Sequence, residues 1–538
     1  MGLISELTQL QTQHGYLRGA DLDALGERLR VPRYRIQEVA SFYPHFRLTP
    51  PSRREVAVCR DLSCFLNGGE AFGARLRDRV QGTEGVEIRE VSCLGRCDRA
   101  PAAFVNGTPV GGGDAEAVVA LLERPRRRPG QEPSGGGRTW RMDPYAQGEV
   151  PFAIYREWAG HPAGDRAREV TGVLKVAGLR GMGGAGFPTG TKWELVREEA
   201  ASPKYVICNA DESEPGTFKD RVILEELPHL VIEGMCFAAE VVGAERGWIY
   251  LRHEYEHAVP QLERAITEAR NRGVLGETFD IDIFLSPGGY ILGEETALLE
   301  ALEDRRGEPR NRPPYPGSRG LWGNPTVINN VETLAMVPGI VSRGADWWKG
   351  HGVRGHEGLK VMAVSGHVER AGAYEIPMGT TVAELIQMAG GVKAGRPLKA
   401  FTPGGASAPF LPAEKAEVPI DFGSVQAAGS LLGSGALVVL AEGTDMMEVA
   451  ANVVRFFRNE SCGKCVPCRT GTEKVSRMLA DILVGRGDRA LLDLLPRLEE
   501  TLAQTSICGL GQVALNPLTS ALKHWHPEMD AYLARAHP

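Results

Sequence analysis

The chain has 538 residues, 43% hydrophobic and 24% charged, with a formal net charge of -7. That length exceeds a single core and implies several domains, and the mild charge argues against nucleic acid or an anionic membrane surface as a partner. No uncharged apolar run approaches membrane-spanning length, and residues 1–6 lack a basic n-region and an apolar h-region, so the reading is a cytoplasmic, reducing location without membrane insertion.

Residues 1–52 read as short helices, with Asp21 expected to cap one through Leu22, Leu25 and Leu29, and Pro32 to begin the next. The aromatic stretch 41–46 is expected to serve helix packing. In residues 53–124, an apolar strand ends at Cys59, the first member of a C-x4-C pair with Cys64. A second strand, 86–91, leads to the C-x3-C pair Cys93 and Cys97, and Asn106-Gly107 signals a hairpin. Two strand ends thus deliver two cysteine pairs to one rim, which suits a 2Fe-2S rhomb with two thiolates per iron, zinc being the alternative. The coarse pattern is thioredoxin-like α/β. Residues 125–165 begin with an Arg-, Pro- and Gly-rich run and read as a linker.

In residues 166–357 the stretch 181–192 is glycine-dense, so backbone amides can approach an anion closely. Gly181, Gly183 and Gly186 satisfy G-x-G-x-x-G, but no apolar strand precedes them and Pro188 is expected to interrupt an immediate helix. Nor is this a Walker loop, because Thr191 follows Gly190. Downstream, the apolar strand 205–208 empties into the acidic loop Asn209-Ala210-Asp211-Glu212-Ser213-Glu214, the end at which doubly wound sheets bind ligands. Hydroxyls of a ribityl chain or ribose would justify three close carboxylates there. Gly288 to Thr296 repeats the device, with Tyr290, Gly293, Glu294 and Glu295 before a helix expected over 297–304. Arg312 and Tyr315 add a cationic, aromatic wall, and Asn329 and Asn330 a pair of amides.

Residues 358–440 alternate like strands around one helix at 381–388 and carry no visible chemistry. Residues 441–538 are helical in pattern. Within them Cys462, Cys465 and Cys468 form C-x2-C-x2-C, with Cys508 supplied from afar. Three thiolates on a tight loop and a fourth from elsewhere suit a 4Fe-4S cubane better than zinc, which favours two separate knuckles or histidines. Cys208, Cys236, His229, His253 and His257 show no ligand spacing and are expected to be structural.

At 181–192, 209–216, 293–296 and 462–468 the chain resembles the NADH-binding flavoprotein subunit of respiratory complex I, and its first 120 residues resemble that complex's 2Fe-2S thioredoxin-like subunit, fused in front. The resemblance implies a multidomain α/β protein: N-terminal helices with a thioredoxin-like 2Fe-2S domain, a Rossmann-like FMN/NAD domain, a ubiquitin-like β-grasp insert of the soluble-ligand-binding type, and a C-terminal helical bundle with 4Fe-4S. It implies FMN, NAD(H), one 4Fe-4S and one 2Fe-2S cluster. Carried over, Gly181, Gly183, Gly184, Lys192, Asn209, Asp211, Glu212, Tyr290, Gly293, Glu294, Asn329 and Asn330 would hold FMN. Phe187, Glu214, Glu295, Arg312 and Tyr315 would contact NAD(H), with Glu295 an electrostatic tuner rather than a catalyst. Cys462, Cys465, Cys468 and Cys508 would bind the cubane, and Cys59, Cys64, Cys93 and Cys97 the 2Fe-2S centre. Met182 departs from the usual arginine, Leu195 from a phenylalanine, and Arg312 and Tyr315 from Lys and Phe. Among fused relatives the chain most resembles the β subunit of NAD-dependent, molybdenum- or tungsten-containing formate dehydrogenases, through Gly404-Gly405-Ala406-Ser407 and Pro419-Ile420-Asp421-Phe422-Gly423. A metal-pterin α subunit is then the implied partner within a multisubunit redox complex, with complex I and an NAD-linked hydrogenase as alternatives. The implied activity is hydride exchange between NAD(H) and FMN, coupled to one-electron transfer through the clusters.

Overall fold

The computed structural model describes residues 2–123, 138–161 and 166–536. It opens with helices Leu3–His14, Gly19–Leu29 and Arg33–Phe42. Asp21 does not cap the second. It lies inside the first turn, where Arg18 Nη2 holds its carboxylate at 2.7 Å, and Arg18 itself occupies the cap position. The aromatic stretch packs as expected: Phe42 and Tyr43 meet edge to face, and the Tyr43 hydroxyl donates to the Arg305 carbonyl at 2.5 Å.

The first sheet comprises β1 (Arg54–Cys59), β2 (Val86–Val91), β3 (Ala103–Val105) and β4 (Thr108–Val110), in the order β2-β1-β3-β4. β1 and β2 run parallel, so Cys59 and the Cys93 turn emerge at the same end. Asn106 and Gly107 both take positive φ, 49° and 87°, which closes the β3–β4 hairpin as their identities require.

The second sheet comprises β5 (Lys204–Ala210), β6 (Ala244–Leu251), β7 (Asp280–Leu285) and β8 (Thr326–Asn330), all parallel, in the order β7-β6-β5-β8. A parallel sheet is covered on both faces, which explains the buried run along β5 and the nearly all-apolar helix Pro228–Val242 packed on it. That helix meets helix Val331–Lys349 at Gly234, where a Cβ would lie 2.1 Å from the Leu334 carbonyl oxygen.

The third sheet comprises β9 (Leu359–Gly366), β10 (Gly372–Pro377), β11 (Leu398–Thr402), β12 (Leu411–Pro412) and β13 (Ala436–Ala441), in the order β10-β9-β13-β11-β12. β9 and β13 are buried along their whole length rather than alternating. β9 packs one set of side chains into the flavin-side core and the other into the insert's own, and a second helix, Phe422–Ala427, joins the expected Val382–Met388. Helices Met446–Glu460, Val466–Leu483, Ala490–Thr505, Gly509–Val513 and Asn516–Ala536 complete the chain, Asp445 capping the first through Met447 N at 2.9 Å.

Of the expected linker, 125–137 and 162–165 lie outside the described residues. Residues 138–161 are no spacer: Trp140, Met142, Tyr145, Phe152 and Trp158 are buried in the main core. Their anchor is Glu233, fully buried, which accepts from the Tyr145 hydroxyl at 2.8 Å and from Tyr155 N at 2.9 Å. Burial raises its carboxyl from 4.5 to about 7. The folded value exceeds the unfolded one, so its contribution is whole below pH ~4.5 and is lost as pH rises through ~7, about 3 kcal/mol in all. Glu233→Gln is expected to flatten the apoprotein's stability between pH 5 and 8, read as urea midpoints. An unchanged slope would show that Glu233 does not carry the proton.

Candidate functional site

In the order β7-β6-β5-β8 the winding reverses between β5 and β8, the switch point beyond whose carboxyl ends sheets of this kind hold their ligand crevice. Register places Asn209 beside Asn330 and Cys208 beside Asn329 at that rim. The glycine loop lies across it. Arg180 bridges to Pro188, Gly181 N donates to the Phe187 carbonyl at 2.9 Å, and Met182 N donates to Thr333 Oγ1 at 2.9 Å. A Cβ on Gly183 would stand 2.9 Å from Asn330 Cβ, and Gly184 holds φ at +123°. The loop is thus a cradle of bare backbone facing the paired asparagines. Pro188 does not interrupt a helix. It occupies the cap position of helix Thr189–Glu198, whose Lys192 donates to the Ile328 carbonyl at 3.1 Å. Burial pulls the Lys192 ammonium below its usual pKa, against the opposing charge of Glu295.

Most polar side chains expected to hold FMN are drawn to this crevice but are already engaged. Asn329 Oδ1 accepts from Trp193 Nε1 at 2.8 Å; Asn330 donates to Asp220 at 2.6 Å and caps helix Val331–Lys349 through Glu332 N at 3.0 Å. Asn209 donates to the Gly293 carbonyl at 2.9 Å. Asp211 accepts from Ser286 at 2.8 Å and from Ser213, and burial lifts it to about 6. Glu212 accepts from Asp220 N at 2.8 Å, Arg221 N at 3.1 Å and the Tyr255 hydroxyl at 3.0 Å, with burial and Asp220 raising it to about 8. Its carboxylate therefore serves helix Lys219–Glu226, not an open ligand position. Glu294 differs: Oε2 caps helix Glu295–Leu302 at 2.9 Å from Ala297 N, while Oε1 is buried without a hydrogen bond, Arg312 standing 3.7 Å away. A ribityl hydroxyl or ring N–H is the donor that atom lacks, and the bare cradle admits a phosphate or a flat ring edge. The residues present fit a flavin mononucleotide.

Of the five expected nucleotide contacts, Phe187 and Tyr315 are 45% and 60% exposed; Leu195, which stands where the family has a phenylalanine, is 54% exposed. The short helix Pro316–Arg319, capped by Tyr315, packs on helix Thr189–Glu198, which carries Leu195. Arg312 pairs with Glu295 at 3.0 Å on that side. Exposed rings suit adenine stacking, and a cation suits a pyrophosphate. Glu214 is instead inside, accepting from the Tyr290 hydroxyl and from Ser407 N, both at 2.6 Å.

All eight ligand-spaced cysteines gather as two nests. Cys59, Cys64, Cys93 and Cys97 are buried, with Cys93 and Cys97 sulfurs 3.6 Å apart and Cys59 in contact with Cys64 and Cys93. Cys462 and Cys465 are part-exposed, Cys468 and Cys508 buried. Burial pushes the Cys468 thiol up to about 11 and that of Cys508 to about 12, so neither ionises at neutral pH unless a metal takes the proton's place. Among the described residues no three of His, Cys, Asp and Glu close on a point as ligands of a single ion do. Four thiols apiece are the donor set of iron–sulfur clusters, and both nests fit one. Cys208 and Cys236 are core residues, 0% and 1% exposed.

Sequence reasoning missed the residues that join these sites. Glu460, two residues before Cys462, accepts from Ser92 beside the first nest and from Tyr290 N, at 2.9 Å, on the flavin-side loop. Arg221 holds Asp98 at 2.8 Å, and Arg252 donates to the Cys93 carbonyl. His257 is not isolated: it meets Glu225 at 2.8 Å and Arg96 at 3.2 Å. His253 packs against His45 with ring centroids 3.7 Å apart and the planes tilted by 46°. Each contact links residues far apart in sequence, and no local pattern announces it.

Comparison with known proteins matches residues 174–339 to the Nuo51 FMN-binding domain and 448–532 to the NADH-ubiquinone oxidoreductase-F iron-sulfur binding region. Residues 1–126 match the thioredoxin-like [2Fe-2S] ferredoxin family and 361–411 the SLBB domain. An F subunit of the NADH-quinone oxidoreductase of Rhizobium meliloti (strain 1021) is 46% identical over 373 residues, covering 68% of this chain and 89% of the relative. The HndC subunit of the NADP-reducing hydrogenase of Solidesulfovibrio fructosivorans is 42% identical over 373 residues, covering 68% of this chain and 76% of the relative. A crystal structure of an NAD+-reducing [NiFe]-hydrogenase in the H2-reduced state superposes with a TM-score of 0.88 at 33% identity, over 99% of this chain and 93% of that one.

Proposed function

The chain belongs to the family of NADH-quinone oxidoreductase F subunits, and from that premise we propose that it is the diaphorase component of a multisubunit redox complex. It binds FMN at the β5/β8 crevice, exchanges electrons with NAD(H) at the exposed rim, and passes them singly to or from the two cysteine nests. The observation that carries this reading is the contact made by Glu460, two residues ahead of Cys462, with both the Ser92 turn beside the other cysteine nest and Tyr290 N on the flavin-side loop.

When bound, the flavin supplies conversion between the two electrons of NAD(H) and the single electrons of iron–sulfur centres. The protein's part is binding and orientation. Gly181, Gly183 and Gly184 present backbone to the flavin with Lys192 as the cation, and Gly293 brings the backbone close because its Cβ position already meets the Asp211 carbonyl at 3.1 Å. Asn209, Asp211, Asn329 and Asn330 wall the crevice, and Glu212 and Tyr290 stiffen that wall. Glu294 Oε1 accepts from the ligand. Phe187 and Tyr315 stack on adenine, Arg312 faces the pyrophosphate, and Glu295 restrains Arg312. Glu214 acts from inside by holding the turn at Ser407. No side chain need move a proton to or from the nicotinamide. Cys462, Cys465, Cys468 and Cys508 hold the 4Fe-4S centre, and Cys59, Cys64, Cys93 and Cys97 the 2Fe-2S centre.

For the partner we take a metal-pterin formate dehydrogenase α chain. The turn supporting that reading, 404–407, docks on the nucleotide-side loop through Ala406 N to the Pro215 carbonyl at 3.2 Å. A second reading, an NAD-linked hydrogenase, is favoured by one observation: the hydrogenase chain superposes over nearly all of this one, N-terminal nest included. The test is to tag the chain in its host, purify the complex without oxygen, and assay formate- and hydrogen-dependent NAD+ reduction with Mo, W and Ni content. Formate activity with Mo or W supports the first reading, and hydrogen activity with Ni replaces it by the second. Quinone-linked activity with neither metal places the chain in a complex I. Failure of NADH to reduce ferricyanide would overturn the diaphorase reading itself.

A further inference from the structure

Between the Cys59/Cys64/Cys93/Cys97 nest and the flavin-side loop stands an ion pair, its arginine buried and its glutamate a quarter exposed, that neither site uses for ligand binding. Arg252, the residue after β6, is 3% exposed. Three of its nitrogens are committed to three groups: Nη2 to the Cys93 carbonyl, Nη1 to the Glu212 carbonyl, and Nε to Glu254 at 2.8 Å. Tyr255, on the same turn, occupies the space that a Cβ on Gly95 would need, 2.6 Å from its ring, and donates to Glu212. The turn after β6 is thus moulded to the Cys93–Cys97 loop, with a guanidinium fixed at the first cysteine's own peptide.

We propose that Arg252, with Glu254 as its counter-charge, is a positioning residue that sets the one-electron potential of the cluster held by Cys59, Cys64, Cys93 and Cys97. The proposal rests on the reading of those thiols as 2Fe-2S ligands. One-electron reduction adds one negative charge to the cluster and its thiolates, and the electron comes from NADH by way of the flavin, or from dithionite in a titration. A cation in a site screened from water stabilises the reduced form, and an anion there the oxidised form. Other charges face the same loop. Asp61 is 2% exposed with both oxygens lacking hydrogen bonds, and Arg60 lies 3.9 Å from it. Asp98 pairs with Arg221, Arg96 meets His257, and Glu460 accepts from Ser92. These stay unchanged when Arg252 or Glu254 alone is altered, so a difference between variants isolates the pair.

The test is an anaerobic redox titration of the full chain at one pH, following the 2Fe-2S signal by electron paramagnetic resonance, for the parent, Arg252→Gln, Arg252→Lys and Glu254→Gln. Arg252→Gln is expected to lower the reduced-to-oxidised ratio at a given potential at least tenfold, a shift of 59 mV for one electron. Glu254→Gln is expected to move it the opposite way, and Arg252→Lys to stay within threefold of the parent. Glu254→Gln leaves the guanidinium in place, so its direction decides the matter even where Arg252→Gln fails to assemble. Shifts of the same sign, or a Glu254→Gln titration superposing on the parent, would overturn the proposal while leaving the cluster reading intact. A parent without any 2Fe-2S signal would overturn both.

Discussion

Glu332→Gln is expected to lower the stability of the flavin-side core by about 3–5 kcal/mol, the usual result of removing one partner from a buried ion network. Glu332 is wholly buried, and its Oε2 accepts from Lys219 at 2.7 Å and from Lys360 at 2.6 Å, while Oε1 accepts from Val361 N at 2.8 Å. Lys219 also holds Asp220 at 2.7 Å. Two buried cations are thereby matched by two buried anions, spanning helix Lys219–Glu226, helix Val331–Lys349 and β9. Glutamine keeps the shape and one acceptor but leaves two ammonium groups sharing Asp220. Lys360 is the group that yields, because burial already brings it down to about 8. A lysine whose folded value is depressed costs stability in full at pH below that value, and the cost fades only as pH rises from about 8 to the unfolded value of 10.5. Losing Glu332 depresses Lys360 further, a difference that disappears once both folded states are neutral. The deficit is therefore expected to be larger at pH 6 than at pH 9. Urea unfolding of parent and variant at both pH values checks this, and Glu332→Gln with Lys360→Met should recover part of the loss. Coincident midpoints at pH 6 would mean that the four charges are not energetically coupled.

The contrast between that network and the cysteine nests shows what was legible beforehand. Ligand spacing is a local property, and the eight thiols that stood at such spacing gather as two nests. The Asn106-Gly107 hairpin and the apolar run of β5 were readable for the same reason: φ preference and burial act within a few residues. The Glu332–Lys360 contact, or that of Ser92 with Glu460 some 368 positions on, required knowing which distant strand ends share a rim. Errors had local causes of another kind. Asp21 looked like a cap, yet Arg18 three residues earlier offered it a stronger partner. What the expected Glu212 site lacked was its second task, accepting from the unpaired backbone N–H groups of Asp220 and Arg221 in the first turn of the helix that begins at Lys219. Residues 138–161 looked like linker because Gly, Pro and charge surround them, while Trp140, Phe152 and Trp158 had a core to fill.

The candidate crevice makes its own demand, and Gly183→Ala is expected to weaken FMN retention tenfold or more, about 1.4 kcal/mol, without disturbing either cysteine nest. The new methyl would stand 2.9 Å from Asn330 Cβ and 3.3 Å from its Cγ, closer than side chains tolerate. Asn330 cannot retreat cheaply. Its amide nitrogen is bonded to Asp220 at 2.6 Å, and its oxygen caps helix Val331–Lys349 through Glu332 N at 3.0 Å. Moving it would break a cap, worth about 1 kcal/mol, and disturb the buried charges beneath. The loop must shift instead, carrying with it the bare backbone proposed to meet the flavin. Gly181→Ala supplies the control. There a Cβ meets nothing nearer than the Phe187 carbonyl oxygen at 3.6 Å, an ordinary contact, so flavin content should stay near the parent's. The measurement is flavin released by acid per mole of protein, taken beside the low-temperature signals of both clusters. Full flavin in Gly183→Ala, or equal losses in the two variants, would mean that the loop's flexibility rather than its bare approach to Asn330 holds the cofactor.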